Sequence, residues 1–432
     1  MYFKNPIIQY FSLTLITVTL FIICGVKNSY ATDNSTDTFE FVTGNIFSEG
    51  NNSFKTLAVD KSSKTAYLFQ IENDMPKIIK VYKNILTGEI NGDKQVEGDK
   101  KTPEGIYFTQ NFISRNNLPP TYGYGALPLN YPNFYDKILG KTGHGIWVHG
   151  VQEGVEDNST EGCVALDNGD MEDLVSKNAL NIPVIISEKL SFLDKDSYVI
   201  AKNYWLNYIN GFIKAWENND FEKFQQYIHT KFTNSDNQDY FKYVMEKKQL
   251  MKLYPYRKIN IDNIQIFVEN DSEAFVNFNQ MYCANNILVE GNKKIYISKE
   301  LGEHKIIGEL FYPSGSYTIT EKLAKKFIKD WIAAWESKDI DKYKQFYNEK
   351  FASAGMNFDK WMEDKYAKFQ KYQKITVTVD NISMENITPT EITISFKQKF
   401  SADTYSDYGI KVIRLSGCPG DFKIISETWR PL

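Results

Sequence analysis

Residues 143–150 read GHGIWVHG and residues 159–166 read STEGCVAL, and these two stretches decide the interpretation of the first half of the chain. In the first stretch two aliphatic residues alternate with Trp147 and His149, which predicts a short strand with two different faces. On such a strand His149 can point into a cleft at the strand's end. The second stretch contains Cys163, which lies 14 positions after His149 in the chain.

Cys163 and His149 are the reactive pair that these stretches offer. A free thiol has a pKa of about 8.5 and is mostly protonated at pH 7, so a nucleophilic cysteine needs a neighbouring base. His149 is the candidate base. Gly162 adds no side-chain bulk beside the thiol, so we expect backbone N–H groups at Gly162 and Cys163 to receive an oxyanion. Taken alone, however, a cysteine and a histidine at this spacing are more often a buried, unreactive thiol and a structural histidine.

The surrounding sequence predicts a mostly β domain. Short strand-like runs are bounded by Gly, Asp and Asn turns, and they include residues 56–59, 66–69, 105–108 and 182–186. Residues 111–141 are rich in Pro, Gly and aromatic residues. This composition indicates either a binding loop or a surface loop whose own aromatic side chains pack against one another. Tyr124 of this stretch and Trp147 are candidate substrate-binding residues.

In their order along the chain these motifs resemble the L,D-transpeptidase catalytic (YkuD) family, whose pattern is a His-Gly pair followed by Ser/Thr-x-Gly-Cys. The sequence GDKKTPEGIY at 98–107 resembles the family's Asp-x-x-Thr-Pro-x-Gly-x-Tyr/Phe turn. We set this domain at 57–190. The resemblance implies an acyl-enzyme on Cys163, His149 as general base and acid, and a backbone carbonyl of Gly150 that orients the imidazole.

Two positions depart from the family pattern. Glu161 stands where the family commonly has His, and Ala165 stands where it commonly has Arg. Loss of the Arg removes a bidentate partner for a carboxylate of the stem peptide. Glu161 either meets an ammonium on the substrate or faces solvent, and a charge there raises the pKa of the Cys163 thiol. Thr160 is a further candidate for substrate binding.

The remainder of the chain repeats itself at a spacing of about 118 residues. Each copy opens with an amphipathic helix and ends in alternating strands, which makes an α+β unit. Trp216 and Trp335 lie on the apolar faces of these helices, which favours a core role over a ligand platform. The repeated motifs are AWENND at 215–220 with AWESKD at 334–339, and DNI at 262–264 with DNI at 380–382.

The two copies resemble the nuclear-transport-factor-like (SnoaL-like) cone fold, and we set them at 196–312 and 317–432. They share no His or Cys, so we expect modules that bind or position glycan or wall peptide. The predicted fold class is therefore multidomain: a mostly-β YkuD-type catalytic domain followed by two α+β cone domains. We also expect the catalytic domain to fold alone when the chain is cut after about residue 187.

The N-terminus predicts export. Lys4 precedes an uncharged run at 6–26, and small residues follow, so we interpret 1–31 as a signal peptide and 32–56 as an N-terminal segment. An uncleaved membrane anchor is the alternative, and only in that case is the membrane a partner. The predicted location is the periplasm or cell envelope.

Composition and spacing narrow the classes of partner and cofactor. The net charge of −4, with both signs mixed along the chain, gives no footprint for nucleic acid. None of the four histidines forms a metal-ligand spacing, so no metal or other cofactor is predicted. Three cysteines remain after the signal peptide, so at least one thiol should stay free.

The whole arrangement resembles cell-shape L,D-carboxypeptidases, which join a YkuD-type domain to a nuclear-transport-factor-like domain. The resemblance implies peptidoglycan tetrapeptide stems as substrate. Hydrolysis or transpeptidation through Cys163 is the main hypothesis. An amidase that releases proteins linked to the wall and an inactive wall-binding protein are the alternatives.

Overall fold

The computed structural model describes residues 41–154, 158–385 and 387–432. The predicted signal peptide lies outside the described residues. Among the helices that are described, none combines the length and the apolar character needed to cross a membrane.

The first domain is built mainly from short strands, as the sequence predicts. Two 3-10 turns, Arg115–Asn117 and Pro120–Tyr122, interrupt the aromatic stretch. The elements in chain order are β1 (Val42–Thr43), β2 (Ile46–Glu49), β3 (Phe54–Asp60), β4 (Thr65–Glu72), β5 (Met75–Lys83), β6 (Gly105–Phe108), β7 (Ile113–Ser114), β8 (Gly125–Pro128), α1 (Phe134–Ile138), β9 (Trp147–Gly150), β10 (Val164–Leu166), α2 (Asn168–Ser176), β11 (Pro183–Ser187) and β12 (Phe192–Leu193).

Two sheets carry this domain, one ordered β5-β4-β3-β11-β6 and the other β10-β9-β8-β7. The central strands β3 and β11 of the larger sheet are buried on both faces. Leu57 and Val59 of β3 face the domain's own core, whereas Ala58 between them faces the first repeat. A sheet that is covered on both sides has strands that read as continuous apolar runs, which explains the sequence of β11.

The two repeats contain the remaining helices and strands. They are α3 (Lys195–Glu217), α4 (Phe221–Gln226), β13 (Ile228–Asn234), α5 (Tyr240–Leu253), β14 (Arg257–Val268), β15 (Glu273–Ala284), β16 (Ile287–Glu300) and β17 (Glu303–Pro313), then α6 (Thr318–Glu336), α7 (Ile340–Lys344), β18 (Ala352–Ser353), β19 (Met356–Asn357), α8 (Phe358–Lys371), β20 (Ile375–Glu385), β21 (Glu391–Ala402), β22 (Tyr405–Ser416) and β23 (Lys423–Pro431).

The repeated sequence motif produces the same local structure twice. The motifs AWENND and AWESKD, called the AWE motifs below, end at Asp220 and Asp339. These two residues are the N-caps of α4 and α7, and the side chain of each accepts hydrogen bonds from backbone N–H groups of the next turn. The tryptophans of α3 and α6 are buried in the two repeat cores. The predicted fold class is confirmed.

The sheet of the first repeat contains a strand from outside it. Its order is β13-β17-β16-β15-β14-β2, and Phe47 of β2 pairs with Ile266 of β14. The second repeat has the order β20-β21-β22-β23. The N-terminal segment therefore completes the first repeat.

The catalytic domain and the first repeat share one apolar core. Tyr135 of α1 stacks on Tyr296 of β16, and its hydroxyl lies 3.1 Å from Ser298 Oγ. A chain cut after residue 187 would expose this shared core to water, which argues against the expectation that the catalytic domain folds alone. The buried members are Ile46, Ala58, Phe69, Ile71, Ile106, Tyr135, Ile185, Leu190, Phe267, Phe275, Tyr296, Ile307 and Leu310.

The two repeats are joined covalently. A disulfide links Cys283 of β15 to Cys418, which lies between β22 and β23. Cys163 is the remaining free thiol among the described residues, as the cysteine count predicts.

Candidate active site

The candidate site lies on the parallel pair β9 and β10. Val164 pairs with Val148 and Ala165 pairs with His149, so Cys163, immediately before β10, lies level with Trp147. Residues that pair in register share a face, and every second residue returns to it. The cysteine and His149 therefore lie diagonally across one face of the strand pair.

The orientation of the His149 imidazole is fixed by the backbone of the next residue. Nδ1 lies 2.6 Å from the carbonyl oxygen of Gly150, the next residue. A carbonyl only accepts, so Nδ1 carries the proton and Nε2 keeps a free lone pair. The imidazole is buried, and burial lowers the pKa of His149 while the Gly150 hydrogen bond partly offsets this.

The thiol of Cys163 is half-buried and is held near the start of β9. Its Sγ lies 3.5 Å from the carbonyl oxygen of Gly145. Burial raises the pKa of Cys163, a backbone N–H of Trp147 opposes the shift, and the Glu161 carboxylate adds to it. The thiol and the imidazole are thus both biased toward their neutral forms.

A hydrogen-bonded turn presents the cysteine. Oγ1 of Thr160 donates to the carbonyl of Cys163 at 2.7 Å and accepts from the N–H of Gly162 at 3.1 Å. Thr102 of the Thr-Pro turn donates to the same carbonyl at 3.3 Å. The hydroxyl of Thr160 is therefore engaged within the protein. The N–H of Gly162 is engaged too, and its oxyanion role stays a prediction that requires this turn bond to open.

Gly162 has a conformation that only glycine adopts easily. Its φ is +134°, and a Cβ there would lie 2.8 Å from the carbonyl oxygen of Lys101. A side chain at this position would displace the turn that carries Cys163. The Gly in the Ser/Thr-x-Gly-Cys pattern thus has a steric origin.

A groove of about 330 Å³ opens over the thiol. Glu161 lines it with an exposed side chain, and Tyr122 lines it from the aromatic stretch. The ring of Tyr122 packs 5.0 Å from the His149 ring and 4.8 Å from that of Trp147, centroid to centroid. Three charged residues of the loop between β5 and β6 also line it: Glu97 and Lys100 are exposed, whereas Lys94 is buried and pairs with Asp99 at 2.7 Å.

Tyr124, which the sequence singled out, lies elsewhere. Its ring packs against Phe112 at the edge of the domain core, 5.9 Å between centroids. Tyr122 takes the position beside the reactive pair. Both stand in the same Pro- and aromatic-rich stretch, and nothing in its local pattern separates them. Ala165 is buried, so its methyl group adds no polar contact to the groove.

Asn168 is a site residue that sequence reasoning missed. Its Oδ1 accepts the N–H of Tyr124 at 2.7 Å, and its Nδ2 donates to the carbonyl of Val151 at 3.0 Å. A Cβ on Gly150 would lie 2.3 Å from the same Oδ1. The amide thus ties the aromatic stretch to the end of β9. The signal was its place shortly after Cys163, at the start of α2.

Known families match these three parts of the chain. Residues 55–186 match the L,D-transpeptidase catalytic domain family, and residues 205–310 and 323–428 each match the Cds6 C-terminal NTF2-like domain. The chain carries an L,D-transpeptidase catalytic domain followed by two NTF2-like domains. The predicted family and its duplicated C-terminal region are confirmed.

Relatives of the L,D-transpeptidase domain are found among curated proteins and solved structures. YafK of Escherichia coli (strain K12) is 29% identical over 119 residues, which is 27% of this chain and 44% of YafK. The chain thus matches less than half the length of that curated relative.

Two solved structures resemble more of the chain. Bd1075 of Bdellovibrio bacteriovorus is 27% identical with a TM-score of 0.58, covering 64% of this chain and 100% of that one. The helical cell shape determining protein Pgp2 of Campylobacter jejuni is 26% identical with a TM-score of 0.52, covering 62% and 95%.

Proposed function

We propose that this protein is an exported peptidoglycan-modifying cysteine enzyme that cuts the L,D peptide bond of stem tetrapeptides. The observation that carries the proposal is the placement of Cys163 and His149 on one face of β9 and β10, with Gly150 holding the imidazole. The matching L,D-transpeptidase family supplies the substrate class. The disulfide between Cys283 and Cys418 supports export, because such bonds persist in oxidising compartments.

The chemistry begins with transfer of the thiol proton from Cys163 to Nε2 of His149. Sγ then bonds to the carbonyl carbon of the L,D peptide bond, and the tetrahedral intermediate collapses as the C–N bond breaks. His149 returns the proton to the departing amine of the terminal D-amino acid. The tripeptide stem remains as a thioester on Cys163.

Water is the proposed acceptor of this thioester, so that tetrapeptides become tripeptides. His149 takes a proton from water, hydroxide adds to the thioester carbon, and the thiol leaves with that proton. A transpeptidase must hold a second stem beside the thioester to outcompete water. Ala165 stands where the family commonly has an Arg for peptide carboxylates, which favours hydrolysis.

The NTF2-like domains are proposed to hold the enzyme on the wall. The name of the similar Pgp2 protein, a determinant of helical cell shape, supports a role for this architecture at the wall. The shared core between the first repeat and the catalytic sheet supports a fixed orientation of the groove.

Digestion of purified peptidoglycan tests the function. We expect tripeptide stems and free D-amino acid, and neither product with the Cys163→Ala variant. New cross-links between diamino acid residues, with little tripeptide, would show that the enzyme is a transpeptidase and not a hydrolase. Release of a wall-linked protein with no change in the stems would favour the amidase. A protein that binds sacculi but yields no product would be the inactive wall-binding protein.

A further inference from the structure

Two lysines line the groove over Cys163, and they are held differently. Lys100 is exposed, and its amine pairs with Glu89 at 2.6 Å. Lys94 is buried, with only 4% of its side chain exposed. Burying an ammonium group costs free energy unless that group is paired, so a buried lysine in the wall of a groove calls for a role.

Asp99 holds the amine of Lys94 in a fixed position. Oδ1 of Asp99 accepts from Nζ of Lys94 at 2.7 Å and from the N–H of Lys101 at 3.2 Å. Its Oδ2 accepts from the N–H groups of Gln95 at 2.8 Å and Val96 at 3.1 Å. Burial opposes ionisation of Asp99, but these bonds hold the pKa of its carboxyl well below the usual range. Three backbone N–H groups thus share the charge of this carboxylate with the lysine, which leaves part of the Lys94 charge for another partner.

Lys94 has one N–H group left for a ligand. Besides the bond to Asp99, its Nζ donates to the carbonyl oxygen of Val96 at 3.2 Å. An ammonium group carries three N–H donors. Among the residues that the structure describes, none accepts a hydrogen bond from the third. The amine can therefore donate once more without giving up a bond within the protein.

Gly143 leaves the groove open beside this lysine. It lines the groove with a φ of +103°, and a Cβ there would lie 3.2 Å from Cε of Lys94. A side chain at this position would be strained and would crowd the stem of the lysine.

The charge of Lys94 also reaches the thiol. Burial raises the pKa of Cys163, and the positive charge of Lys94 is among the effects that oppose this shift. Such an effect requires a nearby charge, so the ammonium lies close to the place where the scissile bond must bind.

Lys94 apart, the carboxylate, amine and imidazole side chains that line the groove are exposed. Glu97 pairs with His144 at 3.4 Å, and Glu161 would repel an anion. Exposed charges are screened by water and salt, whereas a buried charge is screened much less. An anionic group that enters the groove is therefore drawn most strongly to Lys94.

We propose that Lys94 binds the terminal carboxylate of the stem tetrapeptide and thereby selects stems with a free carboxyl end. This role rests on the proposed cleavage of the L,D bond by Cys163. In that reaction the terminal carboxylate stands on the carbon next to the scissile nitrogen, so it lies near the thiol during attack. One of its oxygens accepts the third N–H of Lys94 in a charge-assisted hydrogen bond. Lys94 thus provides a carboxylate contact in a domain where Ala165 stands in place of the family's Arg.

Two synthetic substrates test this role: a disaccharide tetrapeptide, and the same muropeptide with its terminal carboxyl converted to the primary amide. Both yield the same tripeptide, so its initial rate of formation is compared by liquid chromatography. We expect kcat/KM to be at least about tenfold higher for the free acid, because the amide offers no charge to Lys94. In Lys94→Met, kcat/KM for the acid should fall by that factor while the value for the amide stays within about twofold, so that the preference disappears.

Lys61→Met is the matched control. The side chain of Lys61 is as buried as that of Lys94 and pairs with Glu104 at the same distance of 2.7 Å, but it does not line the groove. This variant should lose stability and keep the preference for the acid. Lys94→Gln removes the charge and keeps a donor for Asp99, so it takes the place of Lys94→Met if that variant does not fold.

The outcomes separate this role from the proposed function. A preference that is lost in the Lys94 variant and kept in Lys61→Met would support it. Equal turnover of acid and amide by the wild type, a preference that survives the loss of Lys94, or equal losses on both substrates would overturn it and leave L,D cleavage intact. No tripeptide from either substrate would overturn the proposed function as well.

Discussion

Nδ1 of His149 lies 2.6 Å from the carbonyl oxygen of Gly150, so a backbone group sets which imidazole nitrogen is basic. The chain needs no third side chain for this purpose. Because burial lowers the pKa of His149 and raises that of Cys163, the resting pair is neutral and the proton moves during attack.

The neutral pair predicts how the thiol reacts with pH. The rate of iodoacetamide alkylation of Cys163 should rise with a midpoint above the ordinary thiol value of about 8.5. Glu161→Gln removes a negative charge from the groove, so its midpoint should fall and its rate at pH 7.5 should rise a few-fold. The measurement is alkylation followed by mass spectrometry across pH 6 to 10.

Glu97→Gln is the matched control for Glu161, because Glu97 lines the same groove but is not among the charged groups that shift the pKa of Cys163. Its alkylation profile should follow the wild type. A rate that is flat between pH 6 and 9 would indicate a preformed thiolate and contradict the neutral pair.

Asn168→Ala should reduce turnover at least tenfold. The change leaves the N–H of Tyr124 and the carbonyl of Val151 without their partner; both are partly buried, and an unpaired group costs up to about 1–3 kcal/mol when fully buried. It also loosens the strand end that holds Gly150. Asn130→Ala is the control, since its Oδ1 accepts the N–H of Phe108 away from the groove. The Asn130→Ala variant should lose stability but keep its activity at 20 °C. If both variants lose activity equally, Asn168 has no specific positioning role.

Truncation after residue 187 should yield an aggregated or unfolded product. The cut exposes Ala58, Ile106 and Ile185 on the outer face of the catalytic sheet. Circular dichroism and gel filtration measure the outcome. A chain that ends after the first repeat, near residue 313, keeps this core covered and should remain folded. A monomeric, cooperatively melting 41–187 fragment would show that the shared core is dispensable.

Glu269 makes stability depend on pH. Burial raises the pKa of this carboxyl to about 7, and Glu104 and Asp93 add to the shift. The folded state thus holds a proton that the unfolded state, with a pKa of about 4.3, releases. Stability should fall by up to about 3 kcal/mol as the pH rises from about 4.3 to 7.

Glu269→Gln should therefore raise the melting temperature at pH 8 and change it little at pH 4. Glu303→Gln, an exposed position of the same repeat, should change it at neither pH. A Glu269→Gln variant that melts lower at pH 8 would show that the charged carboxylate stabilises the folded state.

The elements that the sequence predicts are those that local pattern determines. The alternation around Trp147 and His149 predicts β9, and the AWE motifs predict both repeats, because strand and helix periodicities are local properties. The family motifs identify Cys163 and His149 for the same reason, since each motif forms one turn or strand end.

The features that the sequence misses depend on contacts distant in the chain. The pairing of Phe47 with Ile266 has no local signature, and neither does the disulfide between Cys283 and Cys418. The choice between Tyr122 and Tyr124 depends on where one loop packs.

Trapping the acyl-enzyme tests the central claim most directly. The protein is mixed with a disaccharide tetrapeptide, quenched in acid within a turnover, and digested for mass spectrometry. We expect the peptide containing Cys163 to gain the mass of the disaccharide tripeptide acyl group, and the adduct to be absent from Cys163→Ala and greatly reduced in His149→Ala. Tripeptide formation that continues in Cys163→Ala, with no adduct on the wild-type cysteine, would contradict the mechanism.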